Sequence, residues 1–205
     1  MIEIRLHGRG GQGTVTAAEL IAEAAFHDGK FSQAFPSFGI ERRGAPVEAF
    51  ARISDGPITL HSKIYKPDYL IIQDPTLINL HEVRQGITPK TFIIINTEKN
   101  AADFKKIFGR NGIQTVPATQ IALTILGKPI INTTLLGAFA GVCSLLNPDS
   151  LKEAITARFK GDIALKNLKA MNTAFCHCSP NSEYCFTAEK CTVAVDGEQK
   201  FSITC

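Results

Sequence analysis

The sequence predicts an α/β fold, a Rossmann-like three-layer arrangement of a parallel or mixed sheet with helices on both faces, followed by a cysteine-rich hairpin tail. Three observations carry this expectation. Short apolar runs at 2–6, 69–73 and 91–96 have the length and composition of strands buried in a sheet interior. Stretches with helical periodicity alternate with those runs, the pattern of strands joined by crossover helices. The first run also leads directly into a glycine cluster and a helix-forming stretch, which is a strand–turn–helix unit.

The elements follow in order. Residues 2–6 place Ile2, Ile4 and Leu6 on one face of a strand, and 14–27 form a helix whose Leu20, Ile21, Ala24 and Ala25 share a face. Residues 30–35 are strand-like. Residues 47–54 read as a strand, 55–57 (Asp-Gly-Pro) as a turn, and 58–62 as the strand completing a hairpin. The run 69–73 is a buried strand closed by Asp74 and Pro75, and 76–83 is helical. A strand at 91–96, a helix at 101–108, a short strand at 114–117 and a helix at 118–126 come next. Residues 133–146 form an apolar helix buried on most sides. Asp149 and Ser150 cap a helix over 151–159, with Glu153 at capping-box spacing, and 162–175 form the last helix.

Composition bounds the function classes. A chain of 205 residues with 44% hydrophobic and 20% charged side chains supports one domain with an appendage. A net charge of +3 without a basic run does not point to nucleic acid. No apolar run reaches the ~18 residues of a membrane span, and the first residues lack a signal-peptide pattern. The expectation is a cytoplasmic protein with mostly reduced thiols, in contact with neither nucleic acid nor membrane.

The chemistry-bearing feature is the run HGRGGQG at 7–13, in which Gly8, Gly10 and Gly13 satisfy G-x-G-x-x-G. Glycine admits positive φ and lets an anion approach without meeting a Cβ. The helix N-terminus then presents free N–H groups and its positive dipole end. Gly8, Arg9, Gly10, Gly11, Gln12 and Gly13 are therefore the candidate cofactor-binding set. A dinucleotide site would add an acid at the end of the second strand; residues 30–35 contain none, and Asp28 precedes that strand. A tight turn serving only helix–strand packing is the competing reading, and a stand-alone nucleotide or acyl-coenzyme A binding module is the alternative function. No autonomous catalytic set is evident. His7 reads as a packed strand-end residue, Ser37 has no His–Asp companions in sequence, and Thr14 and Thr16 read as caps of the first helix.

The segment 33–48 has neither period and reads as a long Ω-like loop. Its Glu41, Arg42 and Arg43 are either a solvated charge cluster or contacts to an anion or a partner subunit.

Five runs now stand in order: HGRGGQG (7–13), QAFP (33–36), ERRGAP (41–46), NTEK (96–99) and NTTLLG (132–137). Together they resemble the gamma subunit of the 2-oxoacid:ferredoxin oxidoreductases, the family of pyruvate synthase, over about residues 1–172. The resemblance implies a gamma domain at 1–172 and an extension at 173–205. It implies an enzyme that decarboxylates a 2-oxoacid on thiamine diphosphate, passes electrons through iron–sulfur clusters to ferredoxin and transfers the acyl group to coenzyme A. It places the thiamine and the clusters in companion alpha, beta and delta-type subunits. The gamma chain, without a catalytic set, is left with coenzyme A-side binding and docking.

The extension departs from that pattern. Cys176, Cys178, Cys185, Cys191 and Cys205 crowd into it with the spacing C-x-C-x6-C-x5-C-x13-C, which matches neither bacterial ferredoxin runs nor paired zinc knuckles. A reduced tail padding an interface and a thiolate metal site using His177 both remain open. Residues 192–204 read as a hairpin on an Asp196-Gly197 turn, and Cys143 reads as core.

Overall fold

The computed structural model describes residues 1–37, 43–109, 112–179 and 184–185, and the backbone of 192–195 and 201–204. Eight strands and seven helices are present among the described residues, in the order β1 (Ile2–Arg9), α1 (Thr14–His27), β2 (Phe31–Pro36), β3 (Pro46–Ser54), β4 (Tyr69–Ile72), a 3₁₀ turn (Pro75–Asn79), α2 (His81–Arg84), β5 (Phe92–Asn96), α3 (Ala101–Phe108), β6 (Ile113–Val116), α4 (Ala118–Leu126), α5 (Asn132–Val142), α6 (Pro148–Arg158), α7 (Gly161–Cys178), β7 (Thr192–Val195) and β8 (Phe201–Thr204).

Six strands form one mixed sheet, ordered β2-β3-β1-β4-β5-β6. β1, β4, β5 and β6 run parallel, while β3 is antiparallel to both β1 and β2. Side-chain alternation fixes the two faces. Ile4, Leu6, Ala49, Ala51, Ile71, Ile94 and Val116 join α1, α5 and α7 in the larger core. Leu70, Ile72, Ile93 and Ile95 face the other way onto Leu77, Ile78, Val83 and Phe104. β4 and β5 are thus apolar throughout because both of their faces are covered. α5 is buried from Asn132 to Ala140, in keeping with its unbroken apolar character.

The described elements correct the sequence reading in several places. Residues 58–62 form no strand; β3 instead fills the slot between β1 and β2. The carbonyls of that coil are taken by buried arginines: Arg52 donates to Leu60 O and Ser62 O, and Arg5 to Ile64 O. Both ends of the 33–48 segment are strand, since β2 extends to Pro36 and β3 begins at Pro46. The stretch 76–83 is a 3₁₀ turn and a separate short helix. α5 ends at Val142 rather than 146. α6 starts at Pro148 behind Asn147, whose Oδ1 accepts the Asp149 N–H at 3.0 Å. Ser150 lies inside that helix, where its hydroxyl donates to the Asp28 carboxylate. β7 and β8 do pair as a hairpin, with Val195 opposite Phe201, and the Asp196-Gly197 turn lies outside the described residues.

The thiols are also not uniformly reduced. Cys176 and Cys185 are joined in a disulfide, with Cα atoms 5.5 Å apart. Both sulfurs are therefore withdrawn from any thiolate metal site, and among the described residues no group of three or more His, Cys, Asp or Glu converges. Cys143 is buried as a core residue, and burial pushes its thiol up to about 12.

Candidate functional site

The glycine loop lies at the carboxyl end of β1, where the chain turns toward β2 and β3 while β4 occupies the other flank. In open α/β sheets such a reversal leaves a crevice above the strand ends. Three glycines of the loop answer different constraints. A Cβ on Gly8 would sit 2.3 Å from both Gln73 Oε1 and Thr14 Oγ1, so Gly8 makes room for a buried polar column. Gly13 is the left-handed N-cap of α1 at φ 72°, and Asn132 Nδ2 stands 2.6 Å from where its Cβ would be. Gly11, at φ 98°, has nothing within 4 Å of its Cβ position. Two of these glycines are thus explained by packing, and Gly11 is the one that faces open space.

The column beneath the loop ties four elements together. Thr14 donates its hydroxyl to Gln73 Oε1 at 2.6 Å, and Gln73 N–H donates to His7 O at 2.8 Å. Asn96 donates from Nδ2 to Gln73 O at 2.9 Å and to Thr119 Oγ1 at 2.8 Å, while its Oδ1 accepts the Thr119 N–H. Thr14 is therefore the first helical residue and part of this column, not a cap; α1 has no side-chain cap. Its first N–H groups precede the first intrahelical bond, from Ala17 N–H to Gly13 O.

Arg9 is held in place rather than left free. Its Nε donates to Asp74 Oδ2 at 2.8 Å, its Nη1 to Gly44 O at 3.0 Å and its Nη2 to Thr76 Oγ1 at 2.7 Å. Gln12 closes the loop on itself, its Oε1 accepting the Arg9 N–H at 2.8 Å. Burial works to raise the Asp74 carboxyl, but the Thr76 hydroxyl, the Thr76 amide and the Arg9 guanidinium outweigh it and hold the group below the usual carboxylate range.

The structure also brings the second candidate segment to the first. Gly10 N–H donates to Ala45 O at 2.9 Å, and Gly44 N–H donates to Gly10 O at 3.1 Å. Exposed Arg43 thereby stands beside the glycine loop; Glu41 and Arg42 lie outside the described residues. Beyond Pro75, a cavity of about 630 Å³ opens over the ends of β5 and β6, lined among others by Asn96, Thr97, Lys99, Thr119 and Gln120. Asp74, Thr76, Gln73 and Thr119 were not anticipated from the sequence. The one available signal was Asp-Pro at the carboxyl end of a buried strand, where such crevices form.

His7 belongs to a different environment, on the opposite face of β1. It is 5% exposed, and its Nε2 lies 3.7 Å from Glu48 Oε1 without a hydrogen-bond partner. Burial, reinforced by the neighbouring Arg5 charge, drives the imidazole down to about 3. It is neutral at pH 7, so it is a packed residue, but one whose hydrogen bonding is incomplete. Above pH 6.5 the folded and unfolded chains both carry neutral His7, and below it only the unfolded chain takes up the proton. Stability should therefore fall with pH from 6.5 toward 3, by about 2 kcal/mol between pH 7 and pH 5 from this group. Urea midpoints at the two pH values should differ less in His7→Asn than in the parent; an equal difference would contradict the assignment.

The fold and loop define a doubly wound α/β domain with a crevice at its strand ends. The family described as pyruvate ferredoxin/flavodoxin oxidoreductase matches the chain over residues 3–176. The chain belongs to this family, as a gamma-type subunit of a pyruvate or 2-oxoacid ferredoxin oxidoreductase. It is 53% identical over 176 residues to pyruvate synthase subunit PorC of Methanocaldococcus jannaschii, covering 85% of this chain and 96% of that one. It is 49% identical over 177 residues to the common gamma subunit of the pyruvate/ketoisovalerate oxidoreductases of Thermococcus litoralis, with the same coverage of 85% and 96%. The crystal structure of pyruvate oxidoreductase subunit PORC from Thermotoga maritima superimposes with a TM-score of 0.74 at 35% identity, over 83% of this chain and 92% of that one. Among the described residues no helix is long and apolar enough to cross a membrane.

Proposed function

We propose that this gamma subunit forms the coenzyme A side of its oxidoreductase and docks onto the partner chains, without a catalytic set of its own. The observation that carries the reading is the preorganised loop: Arg9 is locked by Asp74, Gly44 and Thr76 while Gly11 and the α1 N-terminus stay open toward the crevice. The fit to coenzyme A is chemical. Helix N–H groups and Gly-rich backbone suit a pyrophosphate. Gly8, Arg9, Gly10, Gly11, Gln12 and Gly13 would shape the pyrophosphate cradle, with Arg43 adding positive charge at its rim and Glu41 and Arg42 adjoining it in sequence. Coenzyme A, when bound, supplies the thiol that accepts the acyl group. The residues of this chain orient the nucleotide end and neutralise its charge.

On this reading the gamma domain spans 1–172 and works in the cytoplasm with alpha, beta and delta-type subunits. Those partners hold the thiamine diphosphate and the iron–sulfur clusters, and ferredoxin takes the electrons. The test is kinetic, on the assembled complex. Arg9→Ala should raise the KM for coenzyme A by about tenfold, the scale of one lost charge-assisted contact, and leave the KM for pyruvate unchanged. Asp74→Ala should act in the same direction by releasing Arg9. An unchanged coenzyme A KM with weaker recovery of the partner subunits would sink the phosphate role and leave docking alone.

A further inference from the structure

One half of the sheet face that carries His7 has an unusual cover. Arg5 lies opposite Phe50 and Leu70 in register, and His7 opposite Glu48 and Ile72, so these side chains share one side of the sheet. The β4–β5 half of that side is closed by apolar groups, Leu77, Ile78, Val83 and Phe104. Over the β1–β3 half, the cover among the described residues is the coil 58–66, strapped down by its backbone. Leu60 O and Ser62 O accept from Arg52, and Ile64 O accepts from Arg5. Gly86 leaves no room for a Cβ against Tyr65 O, which holds the strap at its other end. With its carbonyls turned inward, the strap leaves Leu60 46% and Tyr65 62% exposed.

Under the strap lies a cavity of about 290 Å³, lined among others by Arg5, Glu48, Lys63, Tyr65, Glu82 and Gln85. Its polar groups stand close together without closing on one another. Arg5, 2% exposed, uses Nη1 and Nη2 on Ile64 O, Val83 O and Gln85 O, and its Nε has no hydrogen-bond partner among the described residues. The Glu48 carboxylate stands 4.0 Å from that Nε, 3.7 Å from the unpartnered His7 Nε2 and 3.8 Å from Lys63 Nζ, each beyond hydrogen-bond length. Both signs of charge line the cavity, Arg5 and Lys63 against Glu48 and Glu82. An entering carboxylate would meet the two acids, and an ammonium would meet the two bases. A primary amide suits both: its carbonyl oxygen can accept from Arg5 Nε while its NH₂ donates to Glu48.

We propose that the strap 58–66 is the seat of a companion subunit of the same oxidoreductase, which lays an apolar side chain on Leu60 and Tyr65 and directs an Asn or Gln side chain into the cavity beside Arg5 and Glu48. The proposal rests on the docking part of the function above and names the face that performs it. An exposed tyrosine beside a pocket that ends on an unpaired buried donor has the form of an interface anchor. The aromatic rim excludes water, and the partner completes the polar contact within. Arg5 is held by three carbonyls of its own chain, so the donor is fixed in place before the partner arrives. The seat uses none of the residues that hold Arg9, so docking and the glycine loop can be perturbed separately.

The experiment uses the full-length chain, tagged and co-expressed with the other subunits of its complex. The parent should recover those subunits on the affinity resin. A photo-reactive benzoylphenylalanine in place of Tyr65 should cross-link to one of them, at a peptide that carries Asn or Gln. Tyr65→Glu and Leu60→Glu should each lower recovery of the companions by about tenfold or more. The isolated variants should keep the parent's urea midpoint, because both side chains are exposed. Tyr65→Phe should keep both the midpoint and the recovery. A parent that recovers no companion would overturn the docking reading as a whole, and this seat with it. With companions recovered, the seat alone is overturned by any of four results: no cross-link from position 65, cross-linking only to a second copy of this chain, a cross-linked peptide lacking both amides, or full recovery by both Glu variants.

Discussion

Replacing Arg52 by Ala should lower the stability of the chain by about 3–5 kcal/mol, the cost of breaking a buried charge network from one side. Arg52 is 1% exposed in the middle of β3. Its Nε donates to Glu3 Oε1 at 2.9 Å, its Nη1 to Gln33 Oε1 at 3.3 Å and Leu60 O at 3.2 Å, and its Nη2 to Ser62 O at 2.6 Å. The guanidinium also lies 5.2 Å from the centroid of the Phe35 ring. One side chain therefore joins β1, β2, β3 and the coil that crosses over them. Truncation leaves the Glu3 carboxylate without its partner and two coil carbonyls without a donor. Lys should not rescue the variant, since a point charge cannot donate in three fixed directions. Urea denaturation gives the magnitude, and hydrogen exchange over 58–64 should report local opening in the same variant. A midpoint within error of the parent would show that the coil does not depend on Arg52.

Gly137→Ala should be the second severe change, although alanine is the better helix former by roughly 1 kcal/mol. A Cβ at Gly137 would lie 2.0 Å from the carbonyl oxygen of Met171, which is backbone and cannot rotate away. Gly141, one turn on, would place its Cβ 2.8 Å from Phe175 O. These two glycines let α5 and α7 approach at backbone distance, one face of each helix filling the groove of the other. Separating them opens the larger core around Leu136, Met171 and Ala174, all fully buried. Overpacking against backbone should cost about 3 kcal/mol or more, leaving a net loss of about 2 kcal/mol after the propensity gain. Gly56→Ala is the matched control: nothing lies within 4 Å of its Cβ position, and its midpoint should shift by less than about 0.5 kcal/mol. Equal effects at the two sites would refute the close-packing account.

The NTTLLG run illustrates how a motif can be visible before its reason is. Its presence at 132–137 helped to mark the family resemblance. The fold shows that Asn132 stands where Gly13 would carry a Cβ and that Gly137 admits the Met171 carbonyl. Likewise the glycine loop was legible as a strand–turn–helix unit, but its division of labour was not. Gly8 and Gly13 are fixed by Gln73 and Asn132, residues remote in sequence, together with nearby Thr14, and Arg9 is fixed by Asp74 and Thr76.

What the sequence determined by itself is what short-range physics controls. Helices α3 and α4 coincide with their predicted spans because periodicity and a closing glycine are local. Strands β4 and β5 were legible because burial on both faces demands unbroken apolar runs. The tertiary structure alone decided which strand fills the slot beside β1, because strand pairing is settled between distant segments competing for one edge. That competition left 58–62 outside the sheet, where buried Arg52 claimed the carbonyls of Leu60 and Ser62. It likewise chose Asp74 as the partner of Arg9, and Cys185 rather than a metal as the partner of Cys176. Charges and thiols find partners by proximity in space, which spacing along the chain does not encode.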